Sequence, residues 1–162
     1  MSELPSISVS VKAAIVHDGK ILLLSYDDSD DGGCFHYNLP GGKAIEGEPL
    51  REAVVRKVLQ ETGLTVRTVR EMFVVEYVPG RFGKNLGPQH KTQHNFLAEI
   101  TDGRTEPRFS DPRDPDQVGF EWVPLAELTG RTLIPQVAPA ILDGLAANRD
   151  VLVDHAQVRW DR

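Results

Sequence analysis

The chain has 162 residues, 40% hydrophobic and 26% charged, a balance that excludes a disordered or membrane-embedded polypeptide and suits one folded domain over residues 1–162. A formal net charge of −6 argues against binding a nucleic acid polymer through a basic surface. A single cysteine, Cys34, excludes an internal disulfide framework; with no leader pattern in Met1 to Ser10 and no apolar run longer than Ile21 to Leu24, the expectation is a cytoplasmic protein outside the membrane.

Taken in chain order, Ser6 to Val16 alternates and is rich in β-formers. His17-Asp18-Gly19-Lys20 then turns it into Ile21 to Tyr26, a hairpin. Asp27 to Gly33 is a solvated acidic loop whose spacing lacks the Ca²⁺-loop arrangement. His36 to Leu39 is a short strand reaching a Gly-rich loop, Pro40-Gly41-Gly42. Pro49 suits the first turn of a helix over about 49 to 62, with Gly63 as its stop. Val66 to Val78 and His94 to Ile100 read as strands, joined by the Gly/Pro-rich basic loop Pro79 to Thr92. Residues 101 to 116 form a polar loop, Val118 to Val123 a strand, and Pro124 to Leu128 a short helical turn. A last helix is predicted over Pro135 to Ala147, and the tail from Val151 is ambiguous.

The helix over 49 to 62 carries the chemistry. At about 100° per residue, Leu50, Val54, Val55, Val58 and Leu59 fall on one apolar stripe. Positions 57, 60 and 61 fan across another face as i, i+3 and i+4 neighbours, where carboxylates would converge on one point. Such a point suits Mg²⁺ or Mn²⁺, hard cations that share oxygen ligands with substrate phosphates. This chain supplies Lys57, Gln60 and Glu61 there.

The segment Gly42 to Leu64 resembles the Nudix box, G-x5-E-x7-R-E-U-x-E-E-x-G-U, with Gly42, Glu48, Arg56, Val58, Glu61, Gly63 and Leu64 on its fixed positions. The flanks Asn38-Leu39-Pro40-Gly41 and Trp122-Val123-Pro124-Leu125 are similar to the family's as well. The resemblance implies an α/β/α sandwich with a mixed sheet. It also implies hydrolysis of a nucleoside diphosphate linked to another moiety, with divalent metals clamping the attacking and leaving oxygens. By position it assigns catalytic roles to Glu61, Arg56 and Glu48. Glu61 would ligate metal, the Gly41 carbonyl would be a second ligand, and Glu48 would pair with Arg56 to brace the loop. A small-molecule substrate is expected, and a homodimer by family habit.

The departures are Lys57 and Gln60, which stand where the family has carboxylates. An ammonium about 5 Å from a divalent ion, at an effective dielectric near 20, costs on the order of 6 kcal/mol. The same ammonium attracts a diphosphate. One reading is therefore a diverged hydrolase with weakened metal binding, helped by a carboxylate off the helix (Glu52, Asp111, Asp114, Asp116 or Glu121). The other is a module that binds a nucleotide or sugar-phosphate without cleaving it. Lys57, Gln60 and the loop cations Arg81, Lys84 and Lys91 are the candidate substrate-binding residues. His94 reads as a satisfied, partly buried histidine and Cys34 as a small hydrophobe.

Overall fold

A computed structural model describes residues 6–81 and 87–154. The predicted hairpin is β1 (Ser8–His17) and β2 (Lys20–Asp27), followed by β3 (Phe35–Asn38) and β4 (Gly41–Lys43). Helix α1 (Leu50–Thr62) leads to β5 (Val66–Tyr77), β6 (Lys91–Ile100), β7 (Gln117–Pro124), a 3-10 turn at Leu125–Gly130 and α2 (Ala138–Ala147). The strands form a mixed sheet ordered β3-β2-β1-β6-β5, with β4 on β1 and β7 on β2. β1 runs parallel to β6 from Ser8↔Lys91 to Ile15↔Ala98, and the other pairings are antiparallel.

Alternation along the strands sends side chains to two cores. Val11, Ala13, Ile15, Leu22, Phe96 and Ala98 pack with Ala53, Val54 and Val58 of α1. Ala14, Ile21, Leu23, Met72 and Val123 pack with Ala138 and Ile141 of α2. This is the expected α/β/α sandwich. Burying side chains such as Phe96, Ile15 or Ile141 contributes about 1.5–3 kcal/mol each.

Several expectations change. Gly41–Lys43 is not loop but a strand, and Gly41 admits no side chain, because a Cβ would stand 2.0 Å from the Val11 carbonyl oxygen. Leu59 leaves the apolar stripe at 50% exposure, while Ala53 and Thr62 are buried in its place. Pro49 caps α1 from outside, its carbonyl accepting from the Glu52 and Ala53 amides. β6 starts at Lys91, so that lysine sits on a strand, and α2 starts at Ala138. Cys34 is exposed, which overturns its reading as a small hydrophobe. No described helix is long and apolar enough to cross a membrane.

Candidate functional site

The loop that becomes β4 is held to β1 by amides of Ala13 and Ala44, which donate to Pro40 O at 2.8 Å and Val9 O at 2.9 Å. α1 stops where Gly63 turns left-handed at φ +71, its amide returning to Leu59 O at 2.9 Å. That stop brings the last turn of α1 against the start of β4. The Gly41 amide donates to Glu61 Oε2 at 3.0 Å. Glu61 is partly buried, and burial pushes its carboxyl above the ordinary range. The Lys12 charge, the Gly41 N–H and the Lys57 charge pull it down, while Asp114 adds to the rise.

Arg56 and Glu48 pair as expected: Nε donates to Oε1 at 2.7 Å and Nη2 to Oε2 at 3.0 Å, a two-bond fork. Nη2 also reaches Lys43 O at 3.2 Å, and Glu48 Oε2 accepts the Ile45 amide at 3.3 Å. Glu48 is held below the usual carboxylate range chiefly by the Arg56 hydrogen bonds. The pair braces the segment between β4 and α1.

The loop 101–116 docks on the end of α1, with the Arg108 amide on Thr62 O at 2.8 Å and Trp122 Nε1 on Thr105 O at 3.0 Å. It carries Asp114 within electrostatic reach of Glu61 and of Tyr26, whose phenol is pushed up by burial and by both carboxylates. Of the off-helix acids, Asp114 is the one whose charge Glu61 feels. Glu121 instead accepts from Tyr37 Oη and Arg131 Nη2, each at 2.6 Å, and Glu52 is exposed.

Lys12, which the sequence reading did not single out, is the link to a cavity. It is partly buried on β1 and donates to Leu39 O at 3.0 Å. Burial lowers its ammonium's pKa; Glu61 opposes this, and Lys91 and Lys57 add to it. The signal was a lysine between buried Val11 and Ala13, in step with Ser8 and Ser10. A cavity of about 290 Å³ is lined by Ser10, Lys12, Asn38, Gly42, Lys43, Lys91, Gln93, Ile134 and Pro135, with three cations and no acid. Glu61 and Lys57 are outside this lining and border it through Lys12 and Gly42. A second cavity of about 440 Å³ shares Lys91, Gln93, Ile134 and Pro135 and adds Val75, Tyr77 and Leu133, with Glu76 and Cys34 also in its wall.

The other predicted residues divide. Lys57 lies against Gly42 and donates to Gln60 Oε1 at 3.1 Å; Gln60 itself is exposed and also accepts from Arg56 at 3.4 Å. Residues 57 and 61 thus adjoin the site while 60 serves as their outer support. Lys91 lines both cavities. Arg81 is exposed in a turn and lines neither, and Lys84 lies outside the described residues. His94 pairs through Nδ1 with buried Glu71 Oε1 at 2.7 Å, in keeping with a satisfied histidine.

The donor set does not fit a protein-held divalent ion. The 57-60-61 face offers one carboxylate, Glu61, flanked by the Lys12 and Lys57 ammonium groups, and its Oε2 already accepts the Gly41 N–H. Among the described residues no group of three or more His, Cys, Asp or Glu side chains is placed to hold a metal. Mg²⁺ and Mn²⁺ require converging oxygens, and neighbouring ammonium groups oppose them.

The NUDIX domain family model matches residues 7–144. A 74-residue stretch is 40% identical to an ADP-ribose pyrophosphatase of Methanocaldococcus jannaschii, taking in 46% of this chain and 42% of that protein; the match spans about two fifths of the relative's length. Among solved structures, a MutT NUDIX hydrolase from Burkholderia pseudomallei is 28% identical with a TM-score of 0.62, covering 86% of this chain and 98% of its own. A NUDIX hydrolase from Nitrosomonas europaea, 22% identical, has a TM-score of 0.70 over 92% of this chain and 97% of its own, a likeness of fold.

Proposed function

This chain belongs to the Nudix family, and on that premise we propose that it binds a small molecule of the nucleoside diphosphate type without cleaving it. The observation that carries this reading is the cavity walled by Lys12, Lys43 and Lys91 without an acid, in a chain of net charge −6. Lysine ammonium groups bind phosphate as point charges. The adjoining compartment, with Val75, Tyr77, Ile134 and Pro135, suits the uncharged part of the same ligand. The Methanocaldococcus relative, named an ADP-ribose pyrophosphatase, makes ADP-ribose the first compound to test.

A second reading, residual hydrolysis, is supported by the retained Glu61 with the Asp114 charge in reach and by the intact Glu48–Arg56 brace. A panel of ADP-ribose, a nucleoside triphosphate, a nucleotide sugar and a dinucleotide polyphosphate separates the two. Each is followed by calorimetry and by phosphate or pyrophosphate release, with and without Mn²⁺. The expected result is saturable binding of at least one class with little product. Fast Mn²⁺-dependent release would favour the second reading. No binding by any class would overturn the first.

A further inference from the structure

The two departures from the Nudix box touch each other. Lys57 Nζ donates to Gln60 Oε1 at 3.1 Å. The Lys57 stem lies along Gly42, where a Cβ would stand 2.2 Å from Lys57 Cε and 2.9 Å from Nζ. The stem is therefore seated against the β4 backbone, with the ammonium in an exposed hydrogen bond to Gln60. Gln60 holds it with a neutral oxygen, whereas a carboxylate at 60 would pair with it and cancel its charge. Lys57 and Gln60 thus form one device: a placed cation with its charge left uncompensated by its support.

Lys12 completes the arrangement from β1. Its stem lies against Gly41, the residue whose amide holds Glu61, and its side chain continues into the wall that holds Lys43 and Lys91. One helix carboxylate, tied to the Gly41 amide, stands between a lysine stem on Gly41 (Lys12) and one on Gly42 (Lys57), where the family's box places a divalent ion among carboxylates. From this we infer that Lys57 and Lys12 take over the charge-neutralising role of that ion, so the cleft binds the pyrophosphate group of its ligand without a metal. The inference rests on the proposed nucleoside diphosphate reading for what the pyrophosphate belongs to, and on the residues themselves for how it is held. An ammonium offers three donors and a full charge, which suits a phosphate oxygen cluster. Mg²⁺ entering the same place meets two cations and one carboxylate, and is disfavoured.

The test is calorimetric titration with inorganic pyrophosphate and, separately, with ADP-ribose, each in EDTA and in excess Mg²⁺. Wild-type protein is expected to bind both in EDTA, with affinities that Mg²⁺ changes by less than about threefold. Lys57→Met should weaken binding in EDTA by about tenfold, and Lys57→Arg should keep most of it, which separates charge from packing. The double variant Lys57→Glu with Gln60→Glu should bind poorly in EDTA and recover in Mg²⁺. Binding of wild type that needs Mg²⁺ overturns the inference and leaves the proposed function standing. Pyrophosphate bound in EDTA with no nucleotide derivative bound does the reverse. Failure of both ligands under both conditions, with circular dichroism showing the fold intact, removes both.

Discussion

The Gly41 amide donates to Glu61 Oε2 at 3.0 Å, tying the first residue of β4 to the last turn of α1. Because Gln offers an acceptor of the same shape, Glu61→Gln should keep this tie and the fold while removing the charge. Burial raises the Glu61 pKa, so the folded state binds that proton more tightly than the unfolded chain does. The wild type should lose stability relative to Glu61→Gln as pH rises from the ordinary glutamate value near 4.5 through the raised one. Melting temperatures of both proteins across that range check it; a constant gap would mean that the carboxylate is not desolvated. The same substitution should abolish any Mn²⁺-dependent product release.

For Glu48 the sign is opposite. Its pKa is lowered by Arg56, so the pair stabilises the fold above the ordinary glutamate value and ceases to do so as pH falls through the lowered one. Glu48→Gln should melt below wild type at neutral pH, and the two should converge in acid. Convergence is the diagnostic readout, since a packing defect would persist at every pH.

Restoring both box carboxylates, Lys57→Glu with Gln60→Glu, should raise Mn²⁺-dependent hydrolysis of a nucleoside diphosphate derivative by about tenfold or more. Single-turnover rates with ADP-ribose measure this. An unchanged rate in a folded double variant would place the block on catalysis elsewhere.

Gly41→Ala should destabilise by about 1–3 kcal/mol, because the added Cβ would meet the Val11 carbonyl oxygen at 2.0 Å and Lys12 Cα at 2.9 Å. Chemical denaturation reads the loss directly. Gly47→Ala, where a Cβ meets no atom within 4 Å but φ is +81, is the comparison that isolates backbone strain from collision.

Much of the frame was legible because it is local. The Asp18-Gly19 turn, the β-rich alternation of Ser6 to Val16, and the Pro49-to-Gly63 punctuation of α1 each lie within a few residues of the structure they specify. The Glu48–Arg56 fork was legible for the same reason, both residues sitting in one motif. What the sequence hid depends on pairing at long range. Gly41–Lys43 looks like loop, with two glycines, and becomes a strand because β1 accepts it as a neighbour. Lys12 looks like an exposed position on an alternating strand. It becomes a wall of the site because Leu39 O arrives from the link between β3 and β4 and Lys91 from β6. Leu59 falls on the apolar stripe by angle alone, yet the core takes Ala53 and Thr62 and leaves Leu59 half in water.

The parallel pairing of β1 with β6 also bears on folding cooperativity. Lys12 and Lys43 come from the first part of the chain and Lys91 from beyond β5, so their meeting requires a non-local strand pair to close. A fragment ending at Leu64 would hold the entire motif and still lack the three-lysine cavity. Occupancy of that pocket is accordingly a property of the assembled sheet, and a bound anion should delay global unfolding rather than firm up α1 alone.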